Sequence, residues 1–406
     1  MRILIITQYF FPENFRINDL AEELSNQNHD ITVLTGLPNY PNGKFYEGFN
    51  FSSVGYQCIN KVKVFRIPLI PRFSSKSWQL FVNYFSFAFF SSLISPFFLR
   101  DKFDAIFVYE PSPFTVGIPA VILKKLKKIP IIFWVQDLWP ESIEAVNVTK
   151  SKPIINLVGI MVKWIYKNCD IVLVQSQGFI KPAIVRGATK KKIKYLPNWT
   201  ESFFVPKSPL KKFKSKFPRN NFNILFAGNL GEAQSLGTIL KTAQLLKDRK
   251  INWIIIGDGR KKVWMKKEIK KMKLNNRFFF LGSKPVEQMP NYFAVADVLL
   301  VTLKNDPIFS YTIPGKIQSY LACGKPIVAA INGEGARIIN SSNSGQAVNA
   351  EDYENLAKVV IKFSKMSKSQ LKIRGRLAIK YYEDNFNRKK LIKKIETIIK
   401  NQIRRK

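Results

Sequence analysis

The sequence predicts an α/β protein built from two doubly wound, Rossmann-like domains that face each other across a cleft. Three observations predict it. Short, continuously apolar runs alternate with amphipathic helical stretches, the pattern of a parallel sheet covered by helices on both faces. The alternation breaks at a proline-containing basic stretch and then starts again. The chain has 406 residues, and at roughly 150 residues per domain it can hold more than one core.

The elements follow in order. Met1–Thr7 is a buried strand, followed by a loop with Pro12, Glu13 and Asn14. Ile17, Leu20, Ala21 and Leu24 then fall at helical spacing. Asp30–Thr35 is the second strand, ended by the turn-rich GLPNYPNG at 36–43. Lys61–Pro68 and Asp104–Tyr109 are further strands, and a helix through Thr115–Lys127 leads to the strand Ile129–Val135. Asp170–Val174 and Lys194–Pro197 close this half. Residues 207–220, KSPLKKFKSKFPRN, hold two prolines, several cations and no acid, the composition of a linker. Beyond it come strands at Asn223–Ala227, Trp253–Ile256, Phe278–Leu281, Asp297–Thr302 and Ile327–Ala330, with helices through Leu236–Lys247 and from Pro314. The domain reading is therefore 1–205, a basic linker at 206–221, and 222–385. In 386–406, Leu391, Ile392, Ile395, Ile398, Ile399 and Ile403 share one helical face. That helix is expected to pack back on a domain, the N-terminal one being the candidate.

Composition narrows the chemistry. Three cysteines, Cys58, Cys169 and Cys323, are too few and too scattered for a disulfide framework or a Cys-rich zinc site, which fits a reducing compartment. A single histidine, His29, excludes any two-histidine metal site and leaves no triad that does not use it. His29 precedes a strand at the end away from the expected cleft, so a structural role is read for it. The net charge of +37 draws the chain to polyanions: an anionic membrane face, phosphorylated substrates or nucleic acid. Part of that excess is the general richness of the sequence in Lys, Ile and Asn. The basic runs at 260–277 and 388–406 lack interleaved stacking aromatics, so a nucleic-acid groove is not expected. No signal peptide is read at the start, because Thr7 and Gln8 interrupt the apolar run too soon. Residues 78–99 carry no charge and are long enough to cross a bilayer. Gln79, Asn83, the serines and Pro96 dilute the segment, so it is read as a helix packed in the fold with an aromatic flank able to dip into a membrane interface.

In open parallel sheets ligands bind beyond the carboxyl ends of the strands, and there the candidate site residues fall. The strongest local signal is SYTIPGKIQSYLACGKPIVAA at 310–330. Pro314 presets a helix start, whose free amides and dipole attract an anion, and Lys316 adds a positive charge in the first turn. A plain connecting helix with a solvent lysine is the bland alternative. The coincidence of Pro, Lys and the terminating Gly324 favours a phosphate site. Gly228-Asn229 and Gly257-Asp258 end two strands of the same domain, where glycine permits close backbone approach and Asn229 can donate a hydrogen bond. Gly282 ends the next strand, and Glu287 beyond it can accept from ribose hydroxyls. In the N-terminal half Asp137, in QDLWPES, is the carboxylate read as catalytic, orienting a sugar hydroxyl beside Trp139; the alternative is a helix cap. Glu110 in YEPSP is similar. Arg16 in PENFRINDL either contacts phosphate or pairs with Glu13 on the surface.

The order MRILIITQYFFPE, GLPNYPNG, YEPSP, FWVQDLWPES, FAGNLGEAQSLGTIL, GDG and PGKIQSYLACGKPIV resembles the WbuB-like branch of bacterial family-4 glycosyltransferases over almost the whole chain. The resemblance implies a GT-B fold and a retaining, metal-independent sugar transfer. Its donor would be a nucleotide sugar, UDP-linked, held by the C-terminal domain, and no other cofactor is expected. Its acceptor would be a saccharide on a polyprenyl diphosphate, bound by the N-terminal domain, in O-antigen, capsule or exopolysaccharide assembly. The transferred sugar would be an N-acetylated aminosugar such as N-acetyl-L-fucosamine. The enzyme would sit in the cytoplasm on the anionic inner face of the membrane, and the departing phosphate would take the acceptor's proton. Three family positions differ: the usual Arg after the glycine is Asn229, the phosphate-gripping lysine is Gln234, and the glutamates of the E-x7-E motif fall on Tyr311 and Ser319. Lys316, with Arg16, would have to replace that grip. Two other readings share some of these features. A nucleotide-sugar 2-epimerase shares the architecture but relies on several acids and histidines in its cleft. A nucleic-acid-binding protein would need a positive groove with stacking aromatics.

Overall fold

Two sheets form, each with a reversal of strand order at its centre. The structure, a computed structural model, describes residues 1–73, 77–145, 151–210, 213, 217–218 and 220–405. It divides into a first unit, Met1–Leu196 with Lys389–Lys406, and a second unit, Pro197–Arg388.

In the first unit the strands are β1 (Arg2–Ile6), β2 (Asp30–Gly36), β3 (Gly55–Ile59), β4 (Val62–Ile67), β5 (Ala105–Glu110), β6 (Ile131–Val135), β7 (Ile171–Val174) and β8 (Ile193–Tyr195). Their order is β3-β4-β2-β1-β5-β6-β7-β8, so the direction of winding reverses between β1 and β5. All pairs are parallel except the β3–β4 hairpin, of which the strand expected at Lys61–Pro68 is only the second half. Edge strand β3 alternates half-buried and exposed residues rather than running apolar, and Asn60 and Lys61 turn it with positive φ. The helices are α1 (Arg16–Asn26), α2 (Ser77–Phe98), α3 (Gly117–Lys127), α4 (Glu141–Ala145), α5 (Lys152–Asn168) and α6 (Ile180–Val185). Strands β5 and β6 are buried along their whole length, as near-continuous apolar sequence requires of a sheet covered on both sides.

The second unit holds β9 (Phe222–Ala227), α7 (Leu236–Leu245), β10 (Ile251–Ile256), α8 (Lys262–Lys271), β11 (Phe278–Gly282), α9 (Met289–Val295), β12 (Val298–Thr302), α10 (Pro307–Tyr311), α11 (Gly315–Ala322) and β13 (Ile327–Ala330). It continues with α12 (Gly333–Ser341), β14 (Gln346–Val348), α13 (Tyr353–Ser364) and α14 (Lys368–Asn385). The sheet order is β11-β10-β9-β12-β13-β14, all parallel, with its reversal between β9 and β12. Strand β14, which the sequence reading lacked, is three residues long and half-buried, too short to show a pattern. Within the basic stretch 206–221, residues 211–212, 214–216 and 219 lie outside the described residues. Phe213 and Phe217 are buried there, packing on Tyr292 (ring centroids 4.7 Å apart) and Phe279 (5.3 Å), so the stretch is fastened to the second unit.

The last helix, α15 (Arg388–Ile403), belongs almost wholly to the first unit and buries Leu391, Ile392, Ile395, Ile398 and Ile399. His29 Nε2 lies 3.0 Å from Glu396 Oε1, and Lys394 Nζ donates to Tyr195 O at 2.9 Å. The single histidine thus fastens the chain's end to the sheet's amino-terminal edge, as a structural residue.

Candidate active site

The two sheet reversals position the candidate residues. In the first unit the carboxyl ends of β1, β5 and β6 meet at the reversal. Glu110 is the last residue of β5, and Asp137 lies two residues beyond β6. Glu110 is fully buried, while Asp137 keeps part of its surface. The amides of Gln136 and Asp137 and the indole N–H of Trp139 face the Glu110 carboxylate, but none reaches hydrogen-bonding geometry. Trp139 Nε1 is likewise buried without an acceptor. Burial, and then the like charge of Asp137, push Glu110 well above the usual carboxylate range. Burial raises Asp137 to about 7. Burial thus holds both carboxyls above their usual range, with the charge of Asp137 acting on Glu110. Asp137 caps no helix: α4 begins only at Glu141, whose carboxylate is held by Arg186 at 2.7 Å.

An aromatic and amide frame surrounds the pair. Trp139 stands edge-on to Tyr84 (6.2 Å) and tilted on Phe114 (5.4 Å). The Tyr84 hydroxyl lies 3.2 Å from Ser112 Oγ in the loop after β5. Next to Tyr84 on α2, Asn83 accepts from Gln8 Nε2 at 2.7 Å and donates to Ile70 O at 2.8 Å. Sequence reasoning missed this frame. Asn83 counted there as a diluent of an apolar segment, although a lone amide in such a segment is the signal of a buried hydrogen-bonded anchor.

Glu13 is no surface partner for Arg16. It is buried, and its carboxylate accepts from the amides of Tyr40 (2.7 Å), Asn39 (2.8 Å) and Phe10 (3.2 Å). It pins the loop at 36–43 to the loop after β1. Burial outweighs those amides and raises its carboxyl to about 7. Arg16 opens α1, and its charge acts on Tyr109 at the end of β5.

In the second unit the reversal lies between β9 and β12. The structure brings Gly228, Gly257 and Lys316 together there. Lys316, in the first turn of α11, is not the mobile solvent charge expected of a helix start. Its Nζ donates to Gln234 Oε1 at 2.6 Å and stands 4.2 Å from the centre of the Phe226 ring. Burial lowers the ammonium to about 7. A side chain on Gly228 (φ 148°) would place its Cβ 3.0 Å from Nζ, so glycine leaves the room the lysine occupies. Gly257 (φ 131°) abuts the same loop, where a Cβ would fall 2.0 Å from Gly228 O. Gln234 is the position at which the resemblance implied a phosphate-gripping lysine. Here Lys316 of α11 reaches that position, and Thr302 Oγ1 fixes the loop after β9 by donating to Gln234 O at 2.6 Å. Pro314 is the residue before α11, whose first amides lack intrahelical acceptors.

The remaining expected donor contacts divide. Asn229 is exposed at the tip of the β9 loop. Asp258 is exposed and already engaged, by Lys262 Nζ at 2.6 Å and by the amide of Gly259 at 2.8 Å, which hold its carboxyl below the usual range. Gly282 gives its carbonyl to the amide of Gly257 at 3.0 Å. Glu287 is exposed beyond β11, two strands from β9, and the structure does not bring it to Lys316. Ser319, one of the two positions at which the resemblance implied a glutamate, has its hydroxyl 2.8 Å from Thr200 Oγ1.

Known proteins match this arrangement in both units. Residues 14–199 match the glycosyl transferase 4-like domain, and residues 207–377 match glycosyl transferases group 1. The glycosyl transferase WcaI of Escherichia coli (strain K12), named for colanic acid biosynthesis, is 25% identical over 80% of this chain and 82% of its own. Sucrose-phosphate synthase from Thermosynechococcus elongatus superposes with a TM-score of 0.75 at 14% identity, covering 100% of both chains. Anabaena HepE, solved with UDP and glucose, gives 0.69 at 16% identity, covering 98% of this chain and 99% of its own. These relatives lend no support to an epimerase. With a 4-like domain in the first unit, a group 1 domain in the second and the GT-B fold throughout, the chain is a glycosyltransferase.

Proposed function

We propose that this enzyme transfers an N-acetylated aminosugar, such as N-acetyl-L-fucosamine, from a UDP-sugar to a saccharide on a polyprenyl diphosphate, with retention at the anomeric carbon, as WbuB-like enzymes of O-antigen, capsule or exopolysaccharide assembly do. The observation that carries the reading is the desolvated Lys316 cation at the second sheet's reversal, beside the glycine loop and the start of α11. A diphosphate is the ligand that a half-buried ammonium, a helix start and a side-chain-free loop suit together. HepE, solved with UDP on the same fold, supports a UDP-linked donor for this chain.

Lys316 and the first amides of α11 would hold the diphosphate and offset the charge that develops on it as the anomeric C–O bond breaks. No metal ion is required for that charge balance. The acceptor oxygen forms the new glycosidic bond, and its proton passes to the departing phosphate. Asp137 orients the acceptor hydroxyl, and Trp139, buried between Tyr84 and Phe114, holds the Asp137 loop in place instead of stacking on the sugar. The enzyme would work in the cytoplasm on the inner face of the membrane, where such an acceptor is anchored. The test is transfer from a panel of nucleotide sugars to polyprenyl-diphosphate saccharides, read by product mass and anomeric NMR. One added N-acetylaminosugar with retained configuration and released UDP is expected. Transfer only from a non-UDP donor, or with inversion, overturns the reading.

A further inference from the structure

We propose that the helical layer formed by α2, α3 and α5 is the surface that docks the enzyme on an anionic phospholipid bilayer, lying in the interface and not crossing it. The inference rests on the lipid-linked acceptor just proposed and adds the surface that meets the lipid.

Three observations carry it. First, Phe85, Phe89, Leu93 and Phe97 follow one another at four-residue steps on α2, so they line one side of the helix for roughly 18 Å. They are 37–66% exposed, and Trp78 at the helix start is 61% exposed. The stripe is a ridge of rings, not a groove for a peptide. On α5, Leu157, Ile160 and Trp164 are exposed at helical spacing, and Leu126 is exposed on α3, which packs against both α2 and α5.

Second, this layer is basic. Helices α2, α3 and α5 contain no acidic residue, while α3 and α5 contribute Lys125, Lys127, Lys152, Lys163 and Lys167, besides Lys124, which is paired with Asp170 at 2.6 Å. Asp101, just past α2, is met by Lys127, and Arg100 and Lys102 flank it. Apolar rings with a surrounding excess of lysine match the interface of an anionic membrane.

Third, the opposite side of α2 is committed to the fold. Asn83, Phe87, Ser91 and Ser95 are buried, Asn83 is hydrogen-bonded to Gln8 and Ile70, and Thr115 Oγ1 donates to Tyr84 O at 3.2 Å. Moving this helix into a bilayer would strand those groups, so the apolar stripe meets lipid from the outside. The same helix that meets lipid holds Tyr84 against Ser112 and Trp139, beside the Glu110–Asp137 pair. Docking would therefore set the acceptor site at a fixed height over the headgroups.

The test compares the wild type with two exposed-surface variants: Phe89→Ser/Leu93→Ser/Phe97→Ser, and Lys125→Glu/Lys163→Glu/Lys167→Glu. Binding to sucrose-loaded phosphatidylcholine vesicles, with and without 30% phosphatidylglycerol, is measured by sedimentation. Transfer to a water-soluble saccharide acceptor is measured in parallel. The wild type should bind the anionic vesicles, and each variant should partition at least tenfold less while keeping its circular dichroism and its transfer to the soluble acceptor. Unchanged vesicle binding by the serine variant overturns the proposal, as does a wild type that binds neither vesicle. Self-association of the wild type that the serine variant loses, without vesicle binding, assigns the stripe to protein contact and also overturns it. Vesicle binding as expected with no transfer to any acceptor would instead count against the acceptor reading alone.

Discussion

At the scale of single residues, the site depends on charges held out of water. Lys316 titrates near 7 because burial disfavours its ammonium, whereas the unfolded chain keeps it at the ordinary 10.5. Between those values the unfolded state binds more protons, so Lys316 lowers stability, fully below about pH 7 and less as the pH rises toward 10.5. A bound diphosphate would restore the charge. UDP binding at pH 8 should therefore take up a proton, visible by calorimetry in buffers of different ionisation enthalpy, and affinity should fall as the pH rises above 7. Lys316→Met should abolish the uptake, weaken UDP roughly 10–100-fold, the worth of a charge-assisted hydrogen bond, and raise the melting temperature. A variant with unchanged affinity would remove Lys316 from the donor site. Asp137 works in the opposite sense. Its carboxyl is raised from 3.8 to about 7, so the fold favours the protonated form and stability declines as the pH rises through that window. If the ionised form orients the acceptor, turnover should rise with an apparent midpoint near 7. Asp137→Asn should remove that limb and lower kcat about a hundredfold with UDP affinity unchanged; full turnover would return Asp137 to a structural role. Both residues were legible in the sequence as types at strand ends. Their burial was not, because desolvation is set by Phe226, Trp139 and the neighbouring strands.

At the scale of elements, the apolar strands and long helices were legible because their patterning is local. Hairpin strand β3 and the three-residue β14 were not, since one alternates weakly and the other is too short to show a period. Helix α15 shows how an element's pattern can be clear while its partner is not. Its apolar face was readable, and the fold seats it on the first unit although the preceding helix, α14, belongs to the second. Ile395 is wholly buried in that seat. Ile395→Ala should therefore cost about 2–5 kcal/mol in the first unit and leave UDP affinity, which the proposed donor site assigns to the second unit, unchanged. Denaturant unfolding with UDP titration checks this, and a parallel loss of UDP affinity would contradict it.

At the scale of the whole molecule, the +37 charge pointed to a polyanionic partner without saying where it binds. The structure places part of it on a lysine-bearing, acid-free helical layer and sets one desolvated ammonium at a sheet reversal. Ligand linkage offers a global check. UDP at a hundred times its Kd should stabilise the native state by about 2.7 kcal/mol, raising the melting temperature by several degrees, and the shift should persist in EDTA. Loss of the shift on chelation would show that a metal ion shares the diphosphate's charge.

The sequence by itself determined the α/β class, the two sheets and the residue types at the strand ends, because apolar periodicity and turn chemistry act over a few neighbouring residues. Only the tertiary structure decided that Lys316 comes to rest on Gln234, that Glu110 and Asp137 share one desolvated corner, and that Asp258 is already occupied by Lys262. Those outcomes join residues far apart in the chain. Their energetics follow from the water each group loses, a quantity that does not exist until the sheets are covered.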